Sequence, residues 1–174
     1  TEDIDYVVAG SKGLSALESF VLGSSALDIV KRVKLPLLLV PKECVFHSID
    51  CIALAADYKH LEQIHLLNPI VNIVLDQDAE LKIVNVQTTN EEPNYTQALE
   101  GLELHNAFLA IKHEFCNEIN ADVVRGILSF SERNEVQMLA MIARKHTFFD
   151  RLLHKSITKE ITKLAYLPYL VLHE

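Results

Sequence analysis

The stretch GSKGLSALESFVLGSS, residues 10–25, lies between two apolar runs at residues 4–9 and 35–40. It holds three of the five glycines in the 174-residue chain. Glycine has no Cβ, so its backbone amide can approach a ligand closely. Backbone amides at the start of a helix attract an anion. The stretch therefore predicts a strand, a phosphate-binding loop and a helix, although glycines at such a junction also serve as turn and cap residues.

The elements around this stretch recur near the end of the chain. Each copy reads as strand, helix and strand, and the ranges are 4–9, 25–33 and 35–40 in the first copy and 138–143, 156–164 and 167–172 in the second. The repeat aligns Pro36 with Pro168 and, after a one-residue gap, Gly10 with Ala143. Near-continuous apolar strands separated by helices are typical of a parallel sheet that is covered on both faces.

The segment between the two copies supplies the rest of a domain. Its apolar patterns predict three strands and three helices, at 49–55, 81–86 and 113–117 for the strands and 61–75, 96–111 and 121–134 for the helices. Residues 43–174 are therefore predicted to form a complete α/β domain, doubly wound around a mostly parallel five-stranded sheet. Residues 1–42 are predicted to be the β-α-β C-terminal part of a second such domain.

The spacing G-x2-G-x9-G-S between a strand and a helix resembles the ATP-binding motif of the universal stress protein family. The resemblance implies a Rossmann-like fold and a bound nucleotide, ATP or AMP with Mg²⁺. It assigns the contacts with ribose and phosphates to five residues: Gly10, Gly13, Gly23, Ser24 and Ser25. Asp57, after the predicted strand 49–55, matches the family's nucleotide-contacting aspartate, and Asn85 or Val86 lies where the domain's second strand would meet the adenosine.

The later copy of the motif has lost its glycines. Ala143, His146 and Lys155 stand where the first copy has glycine, and each Cβ crowds the close approach of the backbone to a phosphate. Ser156 survives, and its simplest role is to cap a helix. The second domain is therefore not expected to bind ATP in the family's way, and Asp57 also reads as a turn residue.

The resemblance further implies a tandem protein, with a first domain that begins ahead of residue 1. A sheet that lacks its first strands would leave apolar edges and faces exposed, which proteins avoid. We therefore expect residues 1–42 to dock through strand 35–40 on strand 168–172. This self-association is expected either within one chain or between two, because family dimers pair their last strands.

The composition is that of an ordinary folded protein, with 49% hydrophobic and 23% charged residues. The net charge of −8 and the lack of a basic stripe argue against a nucleic-acid partner. The sequence shows neither an apolar run of membrane-spanning length nor a signal peptide, so no membrane contact and a cytoplasmic location are predicted. The three cysteines lack C-x-x-C spacing and are expected to be free thiols.

The eight histidines include two pairings with the chemistry of metal ligands, His105 with His113 and His113 with Cys116. Zinc, however, requires three or four ligands in a suitable geometry. We therefore favour scattered surface histidines and expect no metal site.

No catalytic motif is present: the sequence lacks G-x-S-x-G, H-E-x-x-H and a Walker pattern. The resemblance implies nucleotide binding and stress signalling, with at most slow hydrolysis of bound ATP, so an enzyme is not predicted. The alternative is a dimerisation or scaffold module that has lost its ligand and works through its surfaces. An electron-transfer flavoprotein-like nucleotide binder shares the topology, but no partner sequence supports it.

Overall fold

The structure is a computed structural model that describes residues 4–11, 32–42, 44–56, 64–88, 95–143 and 166–173. Within those ranges the strands are β1 Val7–Ser11, β2 Leu37–Pro41, β3 Cys51–Ala55, β4 Glu80–Gln87, β5 His113–Ile119, β6 Met138–Ala143 and β7 Tyr169–His173. The α-helices are α1 Asn68–Gln77, α2 Tyr95–Ala107 and α3 Val123–Arg133. The predicted helix 156–164 and nearly all of the predicted helix 25–33 lie outside the described ranges.

In the described part of the chain, the strands form one seven-stranded sheet with the order β1-β2-β7-β6-β3-β4-β5. Every adjacent pair is parallel except β2 and β7, which are antiparallel. Strands β3 to β7 thus have the doubly wound order, with the reversal of direction across the sheet between β3 and β6. The predicted α/β class with a mostly parallel, Rossmann-like sheet is confirmed.

Strands β2 and β7 join the two copies of the repeat. Leu37 is opposite Val171, and Leu39 is opposite Tyr169. All four of these side chains are buried, with 2% or less of their surface exposed. Burial of each large apolar side chain contributes about 1.5–3 kcal/mol, so this joint is part of the core. The division into domains at residue 42 stays a prediction, because one sheet carries both parts.

Hydrophobic clusters cover both faces of the sheet, which explains the near-continuous apolar strands. On one face α3 packs on the central strands through Val124, Ile127 and Phe130. On the other face the buried residues are Ile70 and Val74 from α1, Leu104 from α2 and Phe108, which directly follows α2. Strand β3 is buried along its whole length. Among the described helices, none combines the length and the apolar character needed to cross a membrane.

Two predicted helices differ from the observed ones at their ends. Residues 61–63 of the predicted helix 61–75 lie outside the described ranges, and the rest is a 3-10 turn at Ile64–Leu67 followed by α1, which extends to Gln77. Pro69 fits the first turn of α1, where a missing backbone N–H breaks no helical hydrogen bond. The predicted helix 96–111 ends as α2 at Ala107, four residues early. The backbone N–H of Phe108 is shared between two carbonyls there, which marks a tightened final turn.

A tyrosine ahead of β1 ties the first copy of the repeat to the helix α1. The Tyr6 hydroxyl donates a hydrogen bond to the carbonyl oxygen of Pro69 at 2.9 Å. Burial, followed by the charges of Asp5 and Asp76, raises the pKa of the Tyr6 phenol above its ordinary value. The neutral, donating phenol is therefore the form that the fold stabilises.

Removal of the Tyr6 hydroxyl tests the contribution of this hydrogen bond. We expect Tyr6→Phe to lower the free energy of unfolding by about 1 kcal/mol, the usual net contribution of one hydrogen bond. Urea denaturation measures the effect. Tyr166→Phe is the matched control, because Tyr166 is 54% exposed and should change the stability little. Equal effects of the two substitutions would contradict the tie.

The raised pKa of Tyr6 also predicts in which direction the free energy of unfolding changes with pH. A raised pKa in the folded state contributes stability below the unfolded-state value of about 10 and loses it as the pH rises beyond that value. We expect the stability of the unaltered chain to fall more steeply above this pH than that of Tyr6→Phe. The urea midpoint of each protein is measured as a function of pH across the alkaline range. Parallel curves for the two proteins would contradict the hydrogen bond of Tyr6.

A glycine allows α3 to lie close to β4. A Cβ at Gly126 would stand 2.6 Å from Val86 Cγ1 and 3.1 Å from the Cβ of Asn120, closer than side chains pack. Gly101 in α2 is the contrasting case, because a Cβ added there meets nothing within 4 Å.

The two glycines make a matched pair of substitutions. We expect Gly126→Ala to lower the free energy of unfolding by about 1–3 kcal/mol through overpacking. Gly101→Ala should raise it by about 0.5–1 kcal/mol, because alanine is the better helix former. Chemical denaturation of both variants checks this, and the same sign for both would refute the close packing of α3 on β4.

Candidate functional site

Parallel sheets bind ligands at the carboxyl ends of their strands, next to the point where the strand order reverses. In strands β3 and β6 this edge is formed by Ala55 and by Ala143 with its neighbour Ile142. The backbone N–H of Ala56 donates to the carbonyl oxygen of Val84 at 3.0 Å, which extends the pairing of β3 with β4 by one residue. This edge is the candidate site of the second copy of the repeat.

The first copy has its own carboxyl edge, at Gly10 and Ser11 on β1. Because β1 is parallel to β2 and β2 is antiparallel to β7, this edge lies at the opposite end of the sheet from the carboxyl edge of β3 and β6. Ala56, which precedes Asp57 in the sequence, lies at that other edge. The structure therefore assigns Gly10 and the segment leading into Asp57 to two different sites.

Gly10 is the one residue of the predicted phosphate cradle that the structure describes. It is exposed, it pairs with Val40, and a Cβ built on it would meet nothing within 4 Å. The described glycines have no positive φ, so the backbone conformation does not require glycine here either. The fold of the described residues thus gives no reason for glycine at position 10. The other predicted site residues, Gly13, Gly23, Ser24, Ser25 and Asp57, lie outside the described residues.

The strand register corrects the alignment of the two copies. Gly10 pairs with Val40 in the first copy, and Ile142 pairs with Leu172 in the second. Since Pro36 and Pro168 each lie one residue ahead of their paired strand segments, Gly10 corresponds to Ile142, and the predicted match with Ala143 after a gap is wrong. The consequence for the cradle is unchanged, because either residue puts a side chain where the first copy has none.

Asn85 and Val86, the predicted neighbours of an adenosine, lie in the carboxyl half of β4 and differ in their surroundings. Asn85 is 7% exposed. Val86 packs against the hydrophobic cluster on the face of the sheet that α3 covers, and it lies next to Gly126 of that helix. The packing against α3 accounts for Val86 without a ligand.

The sequence analysis missed a helix cap at the edge of the sheet where β3 and β6 have their carboxyl ends. The Asp122 carboxylate accepts hydrogen bonds from the backbone N–H groups of Val124 at 2.9 Å and Arg125 at 3.3 Å. The Asn120 side chain in turn accepts from the backbone N–H of Asp122 at 2.9 Å. The Asp122 carboxylate thus occupies the amides of Val124 and Arg125 in the first turn of α3, so these two amides are not available for a phosphate. An aspartate directly before the apolar pair Val123-Val124 is the signal that could have placed the cap.

Charged side chains cluster on β4 and β5 at the ends opposite to this edge. Lys82 Nζ lies 2.8 Å from a carboxylate oxygen of Glu114 and 3.8 Å from one of Glu80. The hydrogen bond between Lys82 and Glu114 raises the pKa of Lys82 and lowers that of Glu114. These charges are paired with one another and lie away from the carboxyl edge of both strands.

The thiols do not form a reactive site in the described part of the chain. Cys44, Cys51 and Cys116 are free, as predicted. Burial raises the pKa of Cys51 and of Cys116. A raised pKa keeps a thiol protonated, and the thiol is a poor nucleophile compared with the thiolate.

Comparisons with known proteins agree with this architecture. Residues 1–41 match the sequence model of the Universal stress protein family. The universal stress protein Slr1230 of Synechocystis sp. is 27% identical over 172 residues, which covers 97% of this chain and 58% of that protein. The chain therefore spans less than two thirds of the length of this relative.

Two solved structures share the fold. A universal stress protein from Archaeoglobus fulgidus matches with a TM-score of 0.72 at 20% identity, covering 97% of this chain and 62% of that one. A universal stress protein in complex with cAMP matches with a TM-score of 0.53 at 16% identity, covering 73% of this chain and 98% of that one. Residues 1–41 thus match the Universal stress protein family, and the chain as a whole is similar in sequence and in fold to proteins of that family.

Proposed function

We propose that this chain is part of a cytoplasmic stress-response protein that binds an adenine nucleotide, ATP or AMP, on the loop of residues 10–25. Gly10, Gly13, Gly23, Ser24 and Ser25 would hold the ribose and phosphates through backbone amides and hydroxyl groups. When bound with the nucleotide, Mg²⁺ would neutralise part of the phosphate charge. The proposed role is binding and signalling rather than catalysis.

The observation that carries the proposal is the open space at Gly10. Within the described fold, neither a close neighbour nor a left-handed backbone explains the missing side chain at this position. A ligand lying against the carboxyl end of β1 does explain it, because a Cβ would separate the backbone from a phosphate. The structural neighbour in complex with cAMP supports an adenine nucleotide as the ligand class.

The second copy of the repeat supports the same assignment by contrast. Its strand β6 ends in Ile142 and Ala143, which both carry side chains. The helix α3, which precedes this copy, is capped by Asp122. We therefore assign the nucleotide to the first loop and regard Asp57 as the weaker candidate.

A scaffold role is the second candidate, and the side chains of Ile142 and Ala143 at the end of β6, where the first copy has glycine, favour it. The pairing of β2 with β7 restricts the form that self-association can take. Within the chain, β2 is hydrogen-bonded to β1 and β7, and β7 is hydrogen-bonded to β6 and β2, so both edges of each strand are occupied. Self-association of two chains through these strands would have to exchange β2 between them. The scaffold role needs no nucleotide.

Nucleotide titration separates the two roles. We expect the chain to bind ATP or AMP in calorimetry, and mass spectrometry of the purified protein to detect the bound nucleotide. Gly10→Ala should weaken binding by about tenfold or more, equivalent to about 1.4 kcal/mol or more. Its free energy of unfolding should not fall, because the added Cβ meets open space in the fold and alanine is preferred to glycine within a strand.

Gly101→Ala is the control, because it makes the same chemical change in the helix α2. Gly13→Val provides a second test within the loop. Nucleotide bound equally well by Gly10→Ala and Gly13→Val would reject the cradle. Absence of nucleotide binding in the unaltered chain would favour the scaffold role.

A further inference from the structure

Two histidines meet where the helix α2 is followed by the strand β5. His105 Nδ1 lies 2.9 Å from His113 Nε2, although the two residues are eight positions apart in the sequence. His105 is exposed and His113 is half-buried. Strand β5 and the strand β1, which contains Gly10, are at opposite ends of the strand order, so this histidine pair is separate from Gly10.

The hydrogen bonds fix the proton positions in the neutral pair. His113 Nδ1 lies 3.0 Å from the carbonyl oxygen of Ile111, which can only accept a hydrogen bond. His113 Nδ1 therefore carries the proton, and His113 Nε2 presents a lone pair. His105 Nδ1–H donates to that lone pair.

Aromatic side chains surround the two imidazole rings. The ring of Phe115 lies edge-on to that of His113, with centroids 5.8 Å apart, and the buried Phe108 ring lies at 6.0 Å. His105 is 6.4 Å from Phe115. The carbonyl of Ile111 and these rings together restrict the rotation of His113, so its lone pair has a fixed direction.

We propose that His105 Nδ1 and His113 Nε2 bind a divalent transition-metal ion, with Cu²⁺ preferred. A metal–nitrogen distance of about 2.0–2.1 Å and the observed separation of 2.9 Å between the nitrogens give an angle of about 90° at the metal. That angle matches two adjacent positions of a tetragonal Cu²⁺ or Ni²⁺ ion, whereas tetrahedral Zn²⁺ needs the nitrogens farther apart. Imidazole is a suitable ligand for all three ions.

Binding changes the proton position on one ring and leaves the charge of the pair unchanged. The proton of His105 moves through solvent from Nδ1 to Nε2, and the bond to the metal forms at the freed Nδ1. His113 already has a free Nε2, and its Nδ1–H keeps the bond to Ile111, the kind of outer contact that orients metal-binding histidines. In the described ranges, no group of three or more His, Cys, Asp and Glu residues could hold an ion. Water fills the other positions.

The structure separates the two pairings suggested by the sequence. His105 and His113 are in contact, but Cys116 belongs to the cluster on the other face of the sheet from Phe115. The sequence-based expectation of no metal site rested on the need for three or four ligands, which applies to tetrahedral zinc. Two imidazole nitrogens 2.9 Å apart match two adjacent positions of a tetragonal Cu²⁺ ion, which can complete its coordination with water.

Titration with CuSO4 tests the proposal on the full 174-residue chain. Electron paramagnetic resonance should show one site with two coordinating nitrogens at one equivalent of Cu²⁺. His105→Gln and His113→Gln should each weaken Cu²⁺ binding by about tenfold or more, the range seen when a ligand or its outer partner is lost. The unaltered chain should bind Cu²⁺ more tightly than Ni²⁺ or Zn²⁺.

His65→Gln is the matched control, because His65 is exposed and lies in the turn before α1. It should leave the affinity and the spectrum unchanged. Circular dichroism checks that each variant is folded. If His113→Gln unfolds, the variant His105→Gln decides the result, because His105 is exposed. An unchanged affinity and nitrogen signal in His105→Gln, or an equal loss in His65→Gln, would overturn the site.

Discussion

The antiparallel pairing of β2 with β7 is the interaction on which the rest of the structure depends. It is the one antiparallel pair in the described sheet, and it joins strands that lie at opposite ends of the sequence. Leu37 and Leu39 on one side of the joint and Tyr169 and Val171 on the other are buried, so the pairing continues one hydrophobic cluster of the sheet from the first copy of the repeat into the second. Without it, β1 and β2 would be a two-stranded ribbon, which is marginally stable in water.

The direction of this pairing also determines where each site can lie. Parallel pairing would have brought the carboxyl ends of β1 and β6 to the same edge of the sheet, next to each other's loops. Antiparallel pairing separates them, so Gly10 in β1 and Ala56 after β3 lie at opposite edges of the sheet. In the proposed function, the first copy would therefore bind its nucleotide without residues from the carboxyl edge of β3 and β6, so loss of the glycines in the second copy would not impair it.

The sequence predicted the parts of the structure that depend on local patterns. Apolar runs identified the described strands, because a buried parallel strand needs side chains that are apolar on both faces. The matching positions of Pro36 and Pro168 identified the repeat. The alignment of Gly10 with Ala143 failed because register depends on pairing with β2 and β7, which one strand does not encode. The contact between His105 and His113 was suggested but not predicted, since it depends on the early end of α2 at Ala107.

Native-state hydrogen exchange of the backbone amides tests the joint most directly. In one cooperative sheet, the amides of residues 37–39 should open with the same free energy as those of residues 169–171, to which they are paired. Both segments should be among the slowest to exchange in the chain. Fast exchange in residues 37–39 beside full protection in residues 169–171 would show that the first copy is not held on the second, and would contradict the account.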